Sequence, residues 1–467
     1  MTAAAGRQRL PGEVGKNFAG VTGIVQGLYE EYPYPQFRQV TVCPDAAAHL
    51  GYVAHRCYRP EPFRPKRILV AGCGTTHAVG IAASYPAAAV VGIDISQESL
   101  RIAKRMAEGL RLTNLQLRQE DILAFSGHDG KFDFIDCYGV LHHTAEPLQG
   151  LRNLARALAQ DGLMSIMVYS QRVRYEIGEF QQVFRMLNRV REGRGGNGST
   201  GSRMAFAHRL AQVLAAADTR LTMEAQKAAA LFQEDRTQFA DTYVQPQELR
   251  YTLADVLGLV KGASLDLVNF VHEREWDPAA YLDDLALLTR LQSLTREDRW
   301  RLCDAAGSPF YHFVCTHPAA VPPRPRPCLA DDGLMLDIVP HPCTVHSYPL
   351  QNNRVHGPAL REPREGRTFA RRGNRVRFRG SLGELDAPPI VLEYIRLADG
   401  KRTAREIAAA AARRASVGSP DPAEVAAAFR ALFGMIPFLA PDAAHCRRCP
   451  GRCDRSEPPA AHPGVSR

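Results

Sequence analysis

The sequence predicts an α/β protein built on a doubly wound, mostly parallel sheet that closes with a late antiparallel strand. Three observations predict it. Between Arg67 and Ser170, short β-branched runs alternate with helical stretches, a pattern of parallel strands joined by right-handed crossovers. The first run, RILVAG, passes straight into GCGTTHAVGIAA, a glycine-rich turn opening a helix. An acidic residue, Asp94, ends the second run, 22 residues after Gly72.

Taken in order, residues 1–60 read as an irregular, partly helical leader ending in GLYEEYPYPQFR. A domain over 61–318 follows, with strands at 67–72, 89–95, 115–121, 132–139 and 163–170 and a last one, FYHFVCTH, at 310–317. SQESLRIAKRMAEGL is the clearest helix: Ser96 suits an N-cap, and Leu100, Ala103, Met106, Ala107 and Leu110 share one face at helical spacing. Residues 175–245 form a helical insertion broken by REGRGGNGSTGS. A Pro- and Arg-rich stretch over 319–370 reads as a linker, so a domain boundary is expected near Pro318. Residues 371–441 hold Ala-rich helices and read as a small helical or winged-helix domain, and 442–467 as a Cys-containing tail.

Glycine suits a turn that must bend sharply and let backbone approach a ligand. The free N–H groups of the following helix favour a carboxylate or other anion. An acid at the end of the second strand is placed to hydrogen-bond ribose hydroxyls. RILVAGCGTTHAVGIAASYP, AVVGIDIS, LRQEDIL and KFDFIDCYGVLHHTAEPL, in that order and spacing, resemble the successive motifs of the class I S-adenosylmethionine-dependent methyltransferases. The resemblance runs from Arg67 to Ser170 and implies a Rossmann-like fold with S-adenosyl-L-methionine as cofactor. It places Gly72 and Gly74 at the methionine part, Asp94 at the ribose, and Asp121 and Ile122 at the adenine, with Ala71, Cys73 and Ile95 as further cofactor-binding residues. Asp136 and Tyr138, in the stretch ending at Gly139, line the gap between cofactor and acceptor. Two departures stand out: Val70 replaces the acid often found near the end of the first strand, and Thr76 replaces a third glycine. NAD binding is the runner-up for this fold, but Thr76 breaks the dinucleotide fingerprint and GVLHH suits methyltransferases better.

Looser likenesses extend further. YEEYPYP, GLMSIMVYS and DTYVQPQELRYT resemble bacterial methyltransferases fused to tetratricopeptide repeats, and the overall plan resembles bacterial protein-lysine methyltransferases. A methyl transfer needs mainly positioning in a dry pocket, with a base where the acceptor is a hydroxyl or a protonated amine. His142, His143 and Tyr138 are the catalytic candidates, against a packing role for the histidines. Tyr32 and Tyr34 read as a lid or a packed strap, and Tyr243 and Gln245 as acceptor contacts or turn residues.

The hydrophobic fraction of 45% is that of a globular protein, and no apolar run is long enough to span a bilayer. MTAAAGRQRLPGEVGKNF lacks the apolar core of a secretory signal, so a cytoplasmic location with free thiols is expected. Cys73 and Cys137 read as buried small hydrophobes. Of the net charge of +9, nine Arg and two Glu between Arg354 and Gly380 account for +7. That basic segment suits nucleic-acid phosphates, although a solvated linker is the preferred reading. The fourth strand lacks the Asp/Asn-Pro-Pro-aromatic string of exocyclic amine methylation on bases and the Pro-Cys pair of cytosine-carbon methylation. Cys446, Cys449 and Cys453, beside His445, suit zinc or an iron–sulfur cluster, with a metal-free tail the preferred reading. The leading function is therefore methyl transfer to an O or N acceptor on a small molecule or protein side chain. The alternatives are an RNA or DNA methyltransferase and a non-catalytic cofactor sensor.

Overall fold

Alternation along each strand decides which side of the sheet its residues cover. The computed structural model describes residues 18–36, 39–42, 65–127, 131–192, 198–271, 294–306 and 310–318, with shorter stretches between 276 and 442. Seven strands form the central sheet: β1 Arg67–Ala71, β2 Ala89–Asp94, β3 Leu115–Gln119, β4 Phe132–Tyr138, β5 Leu158–Tyr169, β6 Asp266–Phe270 and β7 Phe310–Thr316. Their order across the sheet is β3-β2-β1-β4-β5-β7-β6. β1 to β5 pair in parallel, and β7 runs antiparallel to both of its neighbours. The strand order reverses beside β1, so β1 and β4 diverge at their carboxyl ends, the crevice where doubly wound sheets bind ligands.

Ile68 and Val70 face a core with Ala78, Ala82, Phe134 and Val314, under helix α2 (His77–Ser84). Leu69 and Ala71 face the opposite core with Leu151, Leu154, Val256 and Val260, under the helices Pro147–Ala157 and Leu253–Gly262. Both faces are covered, which is why the central strands read as nearly continuous apolar runs. Helix α3 (Gln97–Gly109) forms as expected: the Ser96 side chain accepts the Ser99 N–H, and Leu100, Ala103, Met106 and Ala107 are buried.

Three departures from the sequence reading have local causes. β5 begins at Leu158, not Leu163, because a register irregularity between Phe132 and Phe134 lets Leu158 pair with Phe132. The sequence reading missed β6, whose five residues DLVNF sit inside a longer apolar stretch that periodicity does not divide. The segment 319–370 is more than a linker: it holds Val339–Pro342, Val345–Gln351, Arg354–Val355 and Leu360–Glu362. Val345–Gln351 pairs antiparallel with Gln39–Val42, whose Val40 and Val42 are buried with Val79, Ile102 and Met106 from α2 and α3. The basic stretch forms a three-stranded antiparallel sheet, Phe369–Arg372, Arg375–Gly380 and Gly383–Ala387, whose register sets Arg377 opposite Asp386 and Arg379 opposite Glu384. The helices Ile390–Leu397, Ala404–Ala415 and Pro422–Met435 follow, the second started by a capping box between Thr403 and Glu406.

A helical layer covers the carboxyl ends of the parallel strands. It comprises Tyr175–Glu192, Thr200–Ala216, Thr222–Glu234 and Arg236–Phe239, the last continuing into the π-turn Ala240–Val244. Its core of Phe180, Phe184, Met204, Ala211, Phe239 and Tyr243 also takes in Leu28 from helix α1 (Phe18–Glu31). Burying that leucine stabilises the docking of α1 by about 1.5–3 kcal/mol. A chain ending at Pro318 keeps all seven sheet strands but loses the partner of Gln39–Val42. It is expected to keep native far-UV circular dichroism and to be cut by protease within residues 39–42 faster than the full chain. Equal cutting would show that this pairing protects nothing, and an insoluble product would show that the sheet needs the later segments.

Candidate functional site

The site begins at the turn after β1. Gly72 and Gly74 have φ of +68° and +53°, the region that side chains disfavour. A Cβ on Gly72 would lie 2.2 Å from Val140 Cγ2, and one on Gly74 would lie 2.6 Å from the Tyr34 carbonyl oxygen. Asp94 fastens the turn, since its Oδ2 accepts the Gly74 N–H at 2.8 Å and its Oδ1 accepts the Ser96 N–H at 2.9 Å. Burial raises the Asp94 carboxyl above the usual range, while those two N–H groups favour its charge.

The expected cofactor residues Ala71, Gly72, Cys73, Gly74, Asp94, Ile95, Asp121, Ile122, Asp136 and Tyr138 all lie at or just after the carboxyl ends of β1 to β4. Not all present side chains to the cleft. Cys73 and Ile122 are buried, with Ile122 in the core against Leu141, so backbone is what they can offer. Asp121 Oδ2 accepts the Thr22 hydroxyl at 2.9 Å.

Asp136 Oδ2 lies 2.9 Å from His77 Nε2, on the first residue of α2. Burial pulls His77 down, but the charge and hydrogen bond of Asp136 outweigh it, so this imidazole titrates above its ordinary value. Tyr138 is 40% exposed, with its ring edge-on to His77 and His312.

The N-terminal segment forms a strap over this cleft. Ser96 Oγ donates to the Tyr29 carbonyl at 3.1 Å, and the Glu30 carboxylate accepts the Gln97 and Glu98 N–H groups at 2.7 and 2.9 Å. The Thr75 N–H donates to the Tyr34 carbonyl at 3.2 Å, and the Thr75 hydroxyl donates to the Pro35 carbonyl.

Beside the strap lies a buried polar cluster. The Tyr29 hydroxyl donates to Asp241 Oδ1 at 2.8 Å and accepts from Gln245 Nε2 at 2.7 Å. Because the phenol spends its proton on Asp241, the amide must turn its N–H toward Tyr29, which leaves the buried Gln245 Oε1 without a partner among the described residues. Burial raises the Asp241 carboxyl, with His143, the Tyr29 hydroxyl and Arg174 acting against it. Arg174 is committed to Glu248 through two hydrogen bonds and lies 3.8 Å from the centre of the Tyr169 ring. Tyr34 donates to Gln238 Oε1 at 3.0 Å.

His142 and His143 follow β4 as expected, but their surroundings differ. His142 is fully buried at 3.9 Å from the Tyr169 ring, neither nitrogen has a partner among the described residues, and burial holds it well below its ordinary pKa. His143 Nδ1 lies 2.8 Å from the Gln247 carbonyl, so Nδ1 carries the proton and Nε2 the lone pair in the neutral ring. Tyr243 is placed in the helical core, with its hydroxyl on Glu224 Oε1 at 2.6 Å, and Tyr32 packs against that core; the aromatic filling of the helical layer claims both. Cys446, Cys449, Cys453 and His445 lie outside the described residues, among which no cluster suited to a metal occurs. Among the described residues no helix is long and apolar enough to cross a membrane.

Sequence reasoning missed Glu30, Asp241 and the Thr22–Asp121 contact. Each joins segments far apart in the chain, and no local spacing announces them.

Residues 64–230 match the family model of a methyltransferase domain. An uncharacterized protein of Synechococcus is 30% identical over 349 residues, covering 72% of this chain and 78% of that protein. A ubiquinone biosynthesis O-methyltransferase of Vibrio parahaemolyticus is 29% identical over 133 residues, covering 27% of this chain and 54% of that enzyme. Among solved structures, PKMT2 from Rickettsia typhi in complex with AdoHcy shares the fold at 12% identity, with a TM-score of 0.50 over 87% of this chain and all of that one.

The turn combines positive-φ glycines approached closely by Val140 and the Tyr34 carbonyl with a buried carboxylate at the end of β2, the place where a ribose is expected. Asp94→Ala is expected to weaken S-adenosylhomocysteine by roughly ten- to hundred-fold in calorimetry, the loss of about 1.5–3 kcal/mol of charge-assisted hydrogen bonding. Affinity within about twofold of the parent would remove Asp94 from the site.

Proposed function

The chain belongs to the class I S-adenosylmethionine-dependent methyltransferases, and from that premise we propose that its acceptor is a basic amine, on a small molecule or a protein side chain. The observation that carries this reading is the buried Asp241 carboxylate. Its Oδ1 takes the Tyr29 hydroxyl, while Oδ2 has no hydrogen bond among the described residues, and the nearby Arg174 is already paired with Glu248. Gln245 Oε1 adds a second unfilled acceptor 1% exposed. A pocket of unfilled acceptors suits a group rich in N–H donors, and the rings of Tyr29, Tyr34 and Tyr169 suit a cation.

The bound cofactor supplies an activated methyl group on a sulfonium. The chain's own part is to receive the ammonium between Asp241 and Gln245, take one proton onto Asp241, and leave the nitrogen lone pair directed at the methyl carbon in a site closed by the strap. A carboxyl raised by burial is suited to that proton, because the working form is the carboxylate and the match to an amine improves as its pKa climbs. His142 contributes packing in this reading, since burial keeps it neutral and stacks it on Tyr169.

Turnover is expected to rise with pH through the elevated Asp241 titration and then level off. Asp241→Asn should lower turnover by about 10²–10⁴-fold with little change in S-adenosylhomocysteine affinity, and His142→Gln should leave the pH profile unaltered. The acceptor is found by incubating tritiated cofactor with lysate of a deletion strain. Label recovered in N-methylated amino acids or amines after acid hydrolysis of the protein or small-molecule fraction supports the reading. Label in nucleic acid or in a methyl ether overturns it, and no label despite cofactor binding points to a sensor.

A further inference from the structure

The Glu30 carboxylate reaches across from the strap and accepts the first two backbone N–H groups of α3, those of Gln97 and Glu98, at 2.7 and 2.9 Å. These are donors that a helix cannot satisfy internally. Ser96, the residue between Asp94 and that helix on which Asp94 Oδ1 closes, is held from the same side by the Tyr29 carbonyl and, at 3.4 Å, by Glu30 Oε2. Every bond that orients the Asp94–Ser96 turn from outside the sheet domain therefore comes from the strap residues Tyr29 and Glu30, among the described residues. From within the sheet domain the Gly74 N–H holds Asp94 Oδ2, the Glu120 N–H holds the Asp94 carbonyl, the Gln119 amide holds the Ile95 carbonyl, and the Ser99 N–H holds Ser96 Oγ.

We propose that Glu30 is a positioning residue for the cofactor: by capping α3 from another helix it fixes the Asp94–Ser96 turn, and so aims the Asp94 carboxylate at the ribose. The inference rests on the assignment of Asp94 to the ribose. Glu30 itself needs no contact with the ligand. Its two oxygens are occupied by backbone donors, so its effect must pass through the turn. α1 is meanwhile anchored on its other side by Leu28 in the helical layer and by Thr22 on Asp121, so the cap is held at a fixed distance from the sheet. The strap thus couples the helical layer, which bears the acceptor pocket, to the ribose end of the cofactor site.

A double-mutant cycle on the full chain tests this, read by calorimetry with S-adenosylhomocysteine and by thermal melting. Glu30→Ala is expected to weaken binding about ten-fold, and Glu30→Gln less, because one carbonyl oxygen still accepts an N–H. In the Asp94→Ala background, Glu30→Ala should change affinity by less than about twofold, since there is then no carboxylate to aim. A purely structural cap would lower the melting temperature in both backgrounds and leave affinity unchanged, which would overturn the proposal. Additive losses in the two backgrounds would overturn it too, by showing that Glu30 acts without Asp94. If Asp94→Ala alone keeps parental affinity, the ribose assignment falls and Glu30 falls with it. Should Glu30→Ala fail to fold, Glu30→Gln carries the same cycle.

Discussion

One buried carboxylate organises the turns at the carboxyl ends of β1 and β2. Asp94 stands where β2 stops, and its two oxygens tie the glycine turn after β1 to the turn before α3. A buried charge costs several kcal/mol unless hydrogen bonds replace its hydration. Here the replacement comes from backbone N–H groups, whose geometry is set by positive φ at Gly74 and by the N-cap at Ser96. The turn, the helix start and the strand end are consequently one unit. Altering any of them exposes the others to an uncompensated charge, and that interdependence is what makes this cleft stiff enough to position a ligand.

The part of this arrangement that is local in sequence was legible there. RILVAGCGTTHAVG announces a strand, a turn and a helix start in succession, and Ser96 with the Leu100, Ala103, Met106 and Ala107 face announces α3. β6 was not legible, because in the five-residue strand DLVNF the polar residues Asp266 and Asn269 are three apart and show no period of two. The strands beyond Pro318 were hidden for a different reason. Prolines at 340, 342 and 349 signal irregular chain, yet proline is tolerated in edge strands and short ladders such as Val345–Gln351.

The residues of the candidate site divide in the same way. Asp94 and the glycines came from spacing, whereas Glu30 and Asp241 are separated from their partners by 67 and 212 residues. Tyr243 shows the opposite error. A polar aromatic at the end of a helical insertion invites a ligand role, but the helical layer needs large side chains, and Phe180 and Phe239 hold that ring in its core. Its neighbour Gln245, two residues on and past the end of the π-turn, is the one that reaches Tyr29.

The π-turn Ala240–Val244 explains how those neighbours diverge. Wider winding inserts one extra residue per turn, so successive side chains no longer keep the helical spacing of the preceding segment. Asp241 can then turn toward Tyr29 while Tyr243 turns into the helical core, although an α-helix would place residues two apart on roughly opposite faces in any case. What the π-turn adds is Gln245: with φ of −46° and ψ of 120° it leaves the helix at once, and the chain runs back along the loop after β4, where the Leu249 N–H donates to the His142 carbonyl and Gln247 meets His143. A buried polar cluster is thereby assembled from the strap, the loop after β4 and the helical layer, outside the parallel sheet itself. The sheet determines that a methyl group is delivered, and the identity of the acceptor is left to these segments, of which the strap is also tied to the turn that Asp94 closes.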